Sequence, residues 1–425
     1  MIDTSADRIA RRVRHSQFLW SDLNKLCSFG GRFAGTESER NAAHFLEERL
    51  KSIADVAVKI HEVAYSSWMR ESCELNRLTP SALSLRAHAL VRSPSTPPGG
   101  IECEVVDLDR GTLADFEARK SEIPGRFVLV RHEFMFAAGH IHRRVKYHWA
   151  KERGASGFMI ASHLPGDLVV TGSSGGEEIP AVGIARESAE ALSEMSGKYP
   201  RVFLDLRTRT QSAVAKNLIA EIPGRTDEWI VLCAHYDGHD LAQSAIDNGS
   251  GVAAVLTIAE ELAPMVCSLQ RGLRVIFFTI EEWGLMGSRA YVDEMSEQER
   301  RQIALVINLD SVVGGSKLTA LTSGFEELAS FVSAASAIAG TPIATYLPMM
   351  ANSDHFNFAR HGIPALRLVS GFNEPDSRLR YLLTAGDTLN QITSEEMADA
   401  GSVAATMVYQ ACAMEATPAR HKQAP

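Results

Sequence analysis

The chain has 425 residues, 45% hydrophobic and 22% charged, an ordinary globular composition in a length that suggests two domains or one with a large insertion. Its formal net charge of −9 offers no basic footprint for nucleic acid. No apolar run reads as long enough to span a bilayer and the N-terminus lacks the apolar centre of a secretory signal, so a cytoplasmic protein without a membrane partner is expected.

The first section, to about residue 62, reads as helical. In HFLEERLKSI, Phe45, Leu46, Leu50 and Ile53 recur at helical spacing, and Thr36 and Ser38 in the Gly-rich turn before it are candidate caps. The second section spans 65–210. There GRFVLVRH reads as a strand, HRRVKYHWAKERGA as a helix ending near Gly154, SGFMIAS as a second strand, and GDLVVTGSSGGEEIPAVGIA as a loop entering a third. His140 and His142 are expected to be structural. In the third section, from about 214, EWIVLCAH, GVAAVLTIAEELAPM, LRVIFFTI, a helix from about Met286 and IALVINLD alternate strand with helix. Apolar strands alternating with helices predict an α/β domain, a mostly parallel sheet flanked by helices. The six cysteines form no CxxC pair, and Cys233 and Cys267 sit in apolar stretches where buried free thiols are expected.

Polar residues collect where these strands end. His235 and Asp237 close the first, Asp247 precedes a helix, Glu281 and Glu282 follow the next strand, and Asp310 closes the last. Ligands of open α/β sheets bind at the carboxyl ends of strands. Each residue alone reads equally well as a cap, a turn or a solvated pair. Together they form a donor set for a divalent cation, which clustered carboxylates need to offset their repulsion.

In that order HYD, IDNGSG, EEWGLMGS and NLD, with NSDHFNFARHGIPAL at 352–366, resemble the motifs of the di-zinc aminopeptidase family, which also holds glutamate carboxypeptidases, glutaminyl cyclases and the transferrin receptor. The resemblance implies that His235 binds one metal, Asp247 bridges two, and Glu282 and Asp310 each hold one. It also implies that Glu281 is the general base and that Asp237 orients His235. GRFVLVRH…GASGFMIAS…IPAVGIA is similar to the protease-associated domain inserted in this family, a smaller β-rich or α/β unit over 65–210. The hydrolase domain would then be discontinuous, 1–62 joined to 214–425.

One position departs from the pattern. The family's remaining ligand is the His of a YHTxxDT motif, and this chain has YLLTAGDT, with Leu383 in its place. Three outcomes stay open: one metal on His235, Asp247 and Asp310; replacement by His355 or another group; or an inactive site. The oxygen-rich set leaves zinc and manganese balanced, with one metal per chain expected. The expected activity is a metal-activated water hydrolysing a C–N bond in a small molecule. An aromatic amine such as 5-nitroanthranilate is one candidate substrate, and 5-nitroanthranilic acid aminohydrolase is then the closer resemblance. A metal-dependent aminopeptidase is the alternative and a non-catalytic binding protein the third reading. Arg289, His355, Arg378, Tyr381 and Leu383 are the candidate substrate-binding residues, with Arg367 and Arg380 as further cations near them. A homo-oligomer is left open.

Overall fold

The computed structural model describes residues 5–53, 56–193 and 199–416; the outermost residues of the expected hydrolase segments lie outside these. The central sheet forms as the apolar runs predict. Strand Trp229–His235 lies between Gly272–Phe278 and Ile303–Leu309, parallel to both, and Ala365–Ser370 extends it in parallel. Leu318–Leu321 adds antiparallel and carries Ile343–Tyr346 at the edge. The strands Gly272–Phe278 and Ile303–Leu309 are buried at every residue, as expected of strands covered by helices on both faces.

Helix Gly251–Val266 packs its apolar residues into the core it shares with this sheet. With the turn before it, it forms a stretch, Ala245–Val266, long and apolar enough to cross a membrane by length and composition, contrary to the sequence expectation. In the fold 72% of an 18-residue portion of that stretch is buried. The N-terminal helices pack on the same side, with Leu46, Leu50 and Ile53 buried as predicted. Thr36 caps its helix by accepting the Glu39 N–H, whereas Ser38 instead accepts the Arg32 N–H and donates to Phe29 O. Gly31 is needed here: a Cβ on it would lie 1.8 Å from His239 O, so only glycine lets this segment reach the loop after His235.

The first section is not helical to residue 62. A 21-residue strand, Ala57–Arg77, pairs antiparallel with a 22-residue strand, Arg201–Ile222. The second strand pairs with Gly272–Phe278 at one end and Ile101–Asp107 at the other, so one continuous ribbon enters and leaves the inserted unit. The expected boundaries at 65 and 210–214 fall inside this ladder, at Tyr65↔Ala213. Within the insertion, Phe127–Arg131, Gly157–Ala161 and Ala181–Ile184 form a parallel set, and helix Arg143–Glu152 falls where predicted. Cys233 is buried, but Cys267 is exposed at the end of its helix; all six cysteines are free.

The two units share a core. Trp283, in the turn after Glu281–Glu282, packs against Phe33 and Tyr65 with ring centroids 5.3 Å away in each case, in one cluster with Trp68, Phe127 and Met159. Burying a side chain of this size stabilises by about 1.5–3 kcal/mol. That burial fixes the Glu281–Glu282 turn against the inserted domain.

Candidate metal centre

His235, Asp247 and Asp310 converge. His235 Nε2 lies 3.1 Å from Asp247 Oδ1 and 3.6 Å from Asp310 Oδ1. Ligand atoms of His235, Glu281 and Asp310 all lie within 4.8 Å of one another. All are buried.

Backbone contacts explain the placement. Asp387 accepts the N–H groups of Ile246 and Asp247 at 2.8 and 3.1 Å, and Asn248 Nδ2 donates to Leu309 O, tying the Asp247 turn to the strand before Asp310. The Asp237 carboxylate accepts the Glu281 and Glu282 N–H groups at 3.1 and 3.3 Å. Its nearer oxygen is 3.7 Å from His235 Nδ1, which faces the Asp237 carbonyl at 3.1 Å. The expected orienting role therefore falls to the Asp237 backbone, and its side chain holds the glutamate turn. Asp310 takes hydrogen bonds from Ser353 and Ser311 and an ion pair from Arg367 at 3.0 Å.

The electrostatics call for a cation. Burial disfavours a charged His235, yet Glu281, Asp237, Asp247 and Asp310 outweigh it and hold the imidazole well above its usual pKa. Burial raises Glu281 well above the carboxylate range and does the same to Glu282, with Asp247 adding to the second. Buried His235 Nε2 and Glu282 Oε1 have no hydrogen-bond partner among the described residues. Carboxylates that cannot all ionise, crowded around one imidazole nitrogen, fit a divalent cation. His235, Asp247 and Asp310 would hold it, and Glu282 offers a further oxygen.

Leu383 lines the cavity on this site, together with Asp247, Glu281, Glu282 and Asp310. Its carbonyl accepts the Thr171 N–H at 2.8 Å, which ties the degenerate motif to the inserted domain. His355 is fully buried, does not line the cavity, and stays neutral because burial lowers its pKa to about 3. It replaces no ligand. Arg378 is ion-paired with Glu396 and Tyr381 Oη meets Arg380; neither lines the cavity. Arg289 lines the outer groove only. His140 and His142, expected to be structural, line the inner cavity together with Arg143 and Arg144, to which the sequence assigned no role; all four are on the inserted domain. The basic HIHRR run in an acidic chain was the available signal.

Residues 217–408 match the model of peptidase family M28, and residues 93–192 match that of the PA domain. The segment 217–408 is a peptidase family M28 domain. Aminopeptidase YwaD of Bacillus subtilis is 24% identical over 98% of this chain and 89% of its own length. Leucine aminopeptidase 2 of Trichophyton rubrum is 26% identical over 69% of the chain and 58% of its own. Among solved structures, a zinc aminopeptidase from Bacillus subtilis superposes with a TM-score of 0.76 at 24% identity, covering 94% of this chain and 95% of that one. An M28 peptidase precursor from Shewanella amazonensis reaches 0.82 at 24%, covering 99% and 98%. The expected fold, the inserted domain and the metal-dependent hydrolase class hold. Of the readings drawn from the sequence, these M28 matches favour the aminopeptidase over the small-molecule aminohydrolase.

Proposed function

We propose that this M28 hydrolase is an aminopeptidase acting on small substrates. The observation that carries the reading is the convergence of His235, Asp247 and Asp310 beside Glu281, with Asp247, Glu281 and Asp310 lining one cavity. The aminopeptidase names of its relatives and the zinc of the solved one support it, with zinc as the ion. A divalent cation lowers the pKa of water and polarises the bond under attack. Glu281 takes the proton of the attacking water and passes it to the departing nitrogen. Asp237 keeps Glu281 in reach through its backbone N–H, and Arg367 keeps Asp310 ionised.

One observation favours a second reading. In the cavity wall shared with Glu282, Leu383 presents hydrocarbon and donates no lone pair. A second cation is then short of a ligand, and nothing replaces it in binding a substrate α-amine. That suits an aminohydrolase that releases ammonia from a small amine. Zinc-loaded protein assayed on leucine p-nitroanilide separates the two. Turnover with kcat/KM on the order of 10⁴ M⁻¹ s⁻¹ or more supports the aminopeptidase. Failure there, with ammonia release from an aminobenzoate, establishes the second reading.

Leu383→His should raise bound metal from one toward two per chain, read by elemental analysis. Two metals on the unmodified protein would show that Leu383 costs the site nothing.

A further inference from the structure

The inserted domain places two guanidinium groups on the cavity that no ion pair balances among the described residues. Arg143 is buried, at 6% exposure. Its Nε donates to Ser173 O at 2.8 Å and its Nη1 lies 3.5 Å from Met135 Sδ; its Nη2 has no acceptor among the described residues. Gly172 leaves the room: a Cβ there would sit 2.0 Å from Nη2. Arg144, half-buried, makes only long contacts from its side chain, 3.4 Å to His142 Nδ1 and 3.4 Å to Ala351 O.

Arginine is almost never fully buried unless paired. The other buried arginines are each ion-paired or hydrogen-bonded to carbonyls. Arg367 pairs with Asp310, Arg271 with Glu228 and Arg274 with Glu221, while Arg32 has no ion pair but donates to four carbonyls at 3.2 Å or less. Arg143 has no such partner, and burial together with Arg144 lowers its pKa to about 10. Glu282, Glu281 and Asp247 oppose that shift, but none of them makes an ion pair with Arg143, so its free Nη2 is open to an anion that arrives with the substrate.

The cavity has the matching polarity. Asp247, Glu281, Glu282 and Asp310 lie on the hydrolase side, and Arg143 and Arg144 on the inserted-domain side. Phe136 and Leu383 line the space they share, which is narrow, about 70 Å³, before it opens into a groove of about 1010 Å³ where Arg144 and Arg289 again line the wall. In a chain of net charge −9 this is a local positive field at the mouth of the site. A planar guanidinium fork matches a carboxylate.

We propose that Arg143 and Arg144 bind a substrate carboxylate, so that the preferred substrates are small anions whose carboxylate lies within one residue or one ring of the scissile C–N bond. The proposal rests on the assignment of this cavity as a C–N hydrolase site. It predicts that zinc-loaded protein cleaves leucylglycine at least tenfold faster, in kcat/KM, than leucylglycinamide. Arg143→Gln should lower kcat/KM on the acid at least tenfold more than on the amide; Arg144→Gln should shift the ratio the same way by less, and carries the test alone if Arg143→Gln does not fold. Equal rates on acid and amide, or equal losses on both, overturn the proposal. If neither dipeptide is cleaved, the aminopeptidase reading fails, and calorimetric titration with benzoate and benzamide replaces the assay. Benzoate binding tenfold tighter, with the preference lost in Arg143→Gln, then upholds the carboxylate site, and equal binding ends it.

Discussion

Glu281→Gln should fold, keep its metal and lose about 10²–10⁴-fold in turnover, the usual contribution of a general base. The substitution preserves shape and the backbone N–H that Asp237 accepts, so the turn stays in place. What goes is the capacity to take a proton from water. Burial raises the Glu281 pKa, so the free enzyme's activity should fall as pH drops through a value above the ordinary carboxylate range. A bound cation stabilises the ionised form and moves that limb to lower pH. Zinc content by elemental analysis, with kcat/KM across pH, checks both parts. Unchanged turnover would move the base elsewhere, and joint loss of metal would make Glu281 a ligand.

His235, Glu281 and Asp310 were legible because each follows a mainly apolar strand, and Asp247 because it stands just before an apolar helix. A polar side chain after VLCA, FFTI or VINL stands at a strand end, and parallel topology brings strand ends to one edge. The long ribbon was not legible. Ala57–Arg77 alternates between exposed and half-buried residues with few buried ones, so it carries no strong period in either helix or strand register. Arg143 was hidden for another reason. HRRVKYHW announces a basic helix, but which cations turn toward a second unit is set by packing across about two hundred residues, not by local pattern. The candidates chosen by nearness to the degenerate motif, Arg378 and Tyr381, face other partners because the 3₁₀ turn Arg378–Tyr381 docks on Glu396 and Gln391.

Asp237 and Asp387 show what joins the two levels. Neither is placed to hold a metal first; each gathers backbone N–H groups of the turn that does. Burial raises Asp387 to about 7, against the N–H groups it accepts, and this cost is the counterpart of a rigid Asp247 turn. A metal set built this way is organised by its neighbours before any ion arrives.

Asp310→Ala should destabilise the metal-free protein by about 3–5 kcal/mol, the cost of leaving one member of a buried ion pair alone. Asp310 and Arg367 are each 2% exposed and 3.0 Å apart, and among the described residues Arg367 otherwise reaches only the Asn352 and Asp310 carbonyls and the Phe136 ring. Metal content should fall in the same variant, because the site loses an oxygen ligand. Asp310→Asn separates the effects: it keeps an acceptor for Arg367 and Ser353, so stability should recover in part while metal stays low. The pH dependence gives a further check. Burial raises the Asp310 pKa, but Arg367 and His235 outweigh it and depress the carboxyl in the folded state. A depressed pKa contributes stability that is present above the unfolded carboxylate value, about 4, and is lost as pH falls through the folded one. The deficit of Asp310→Ala should therefore be full at neutral pH and shrink below about pH 4. Urea unfolding of chelator-treated protein at both pH values measures it, and a deficit independent of pH would mean that the charge on Asp310 does not hold Arg367 in the core.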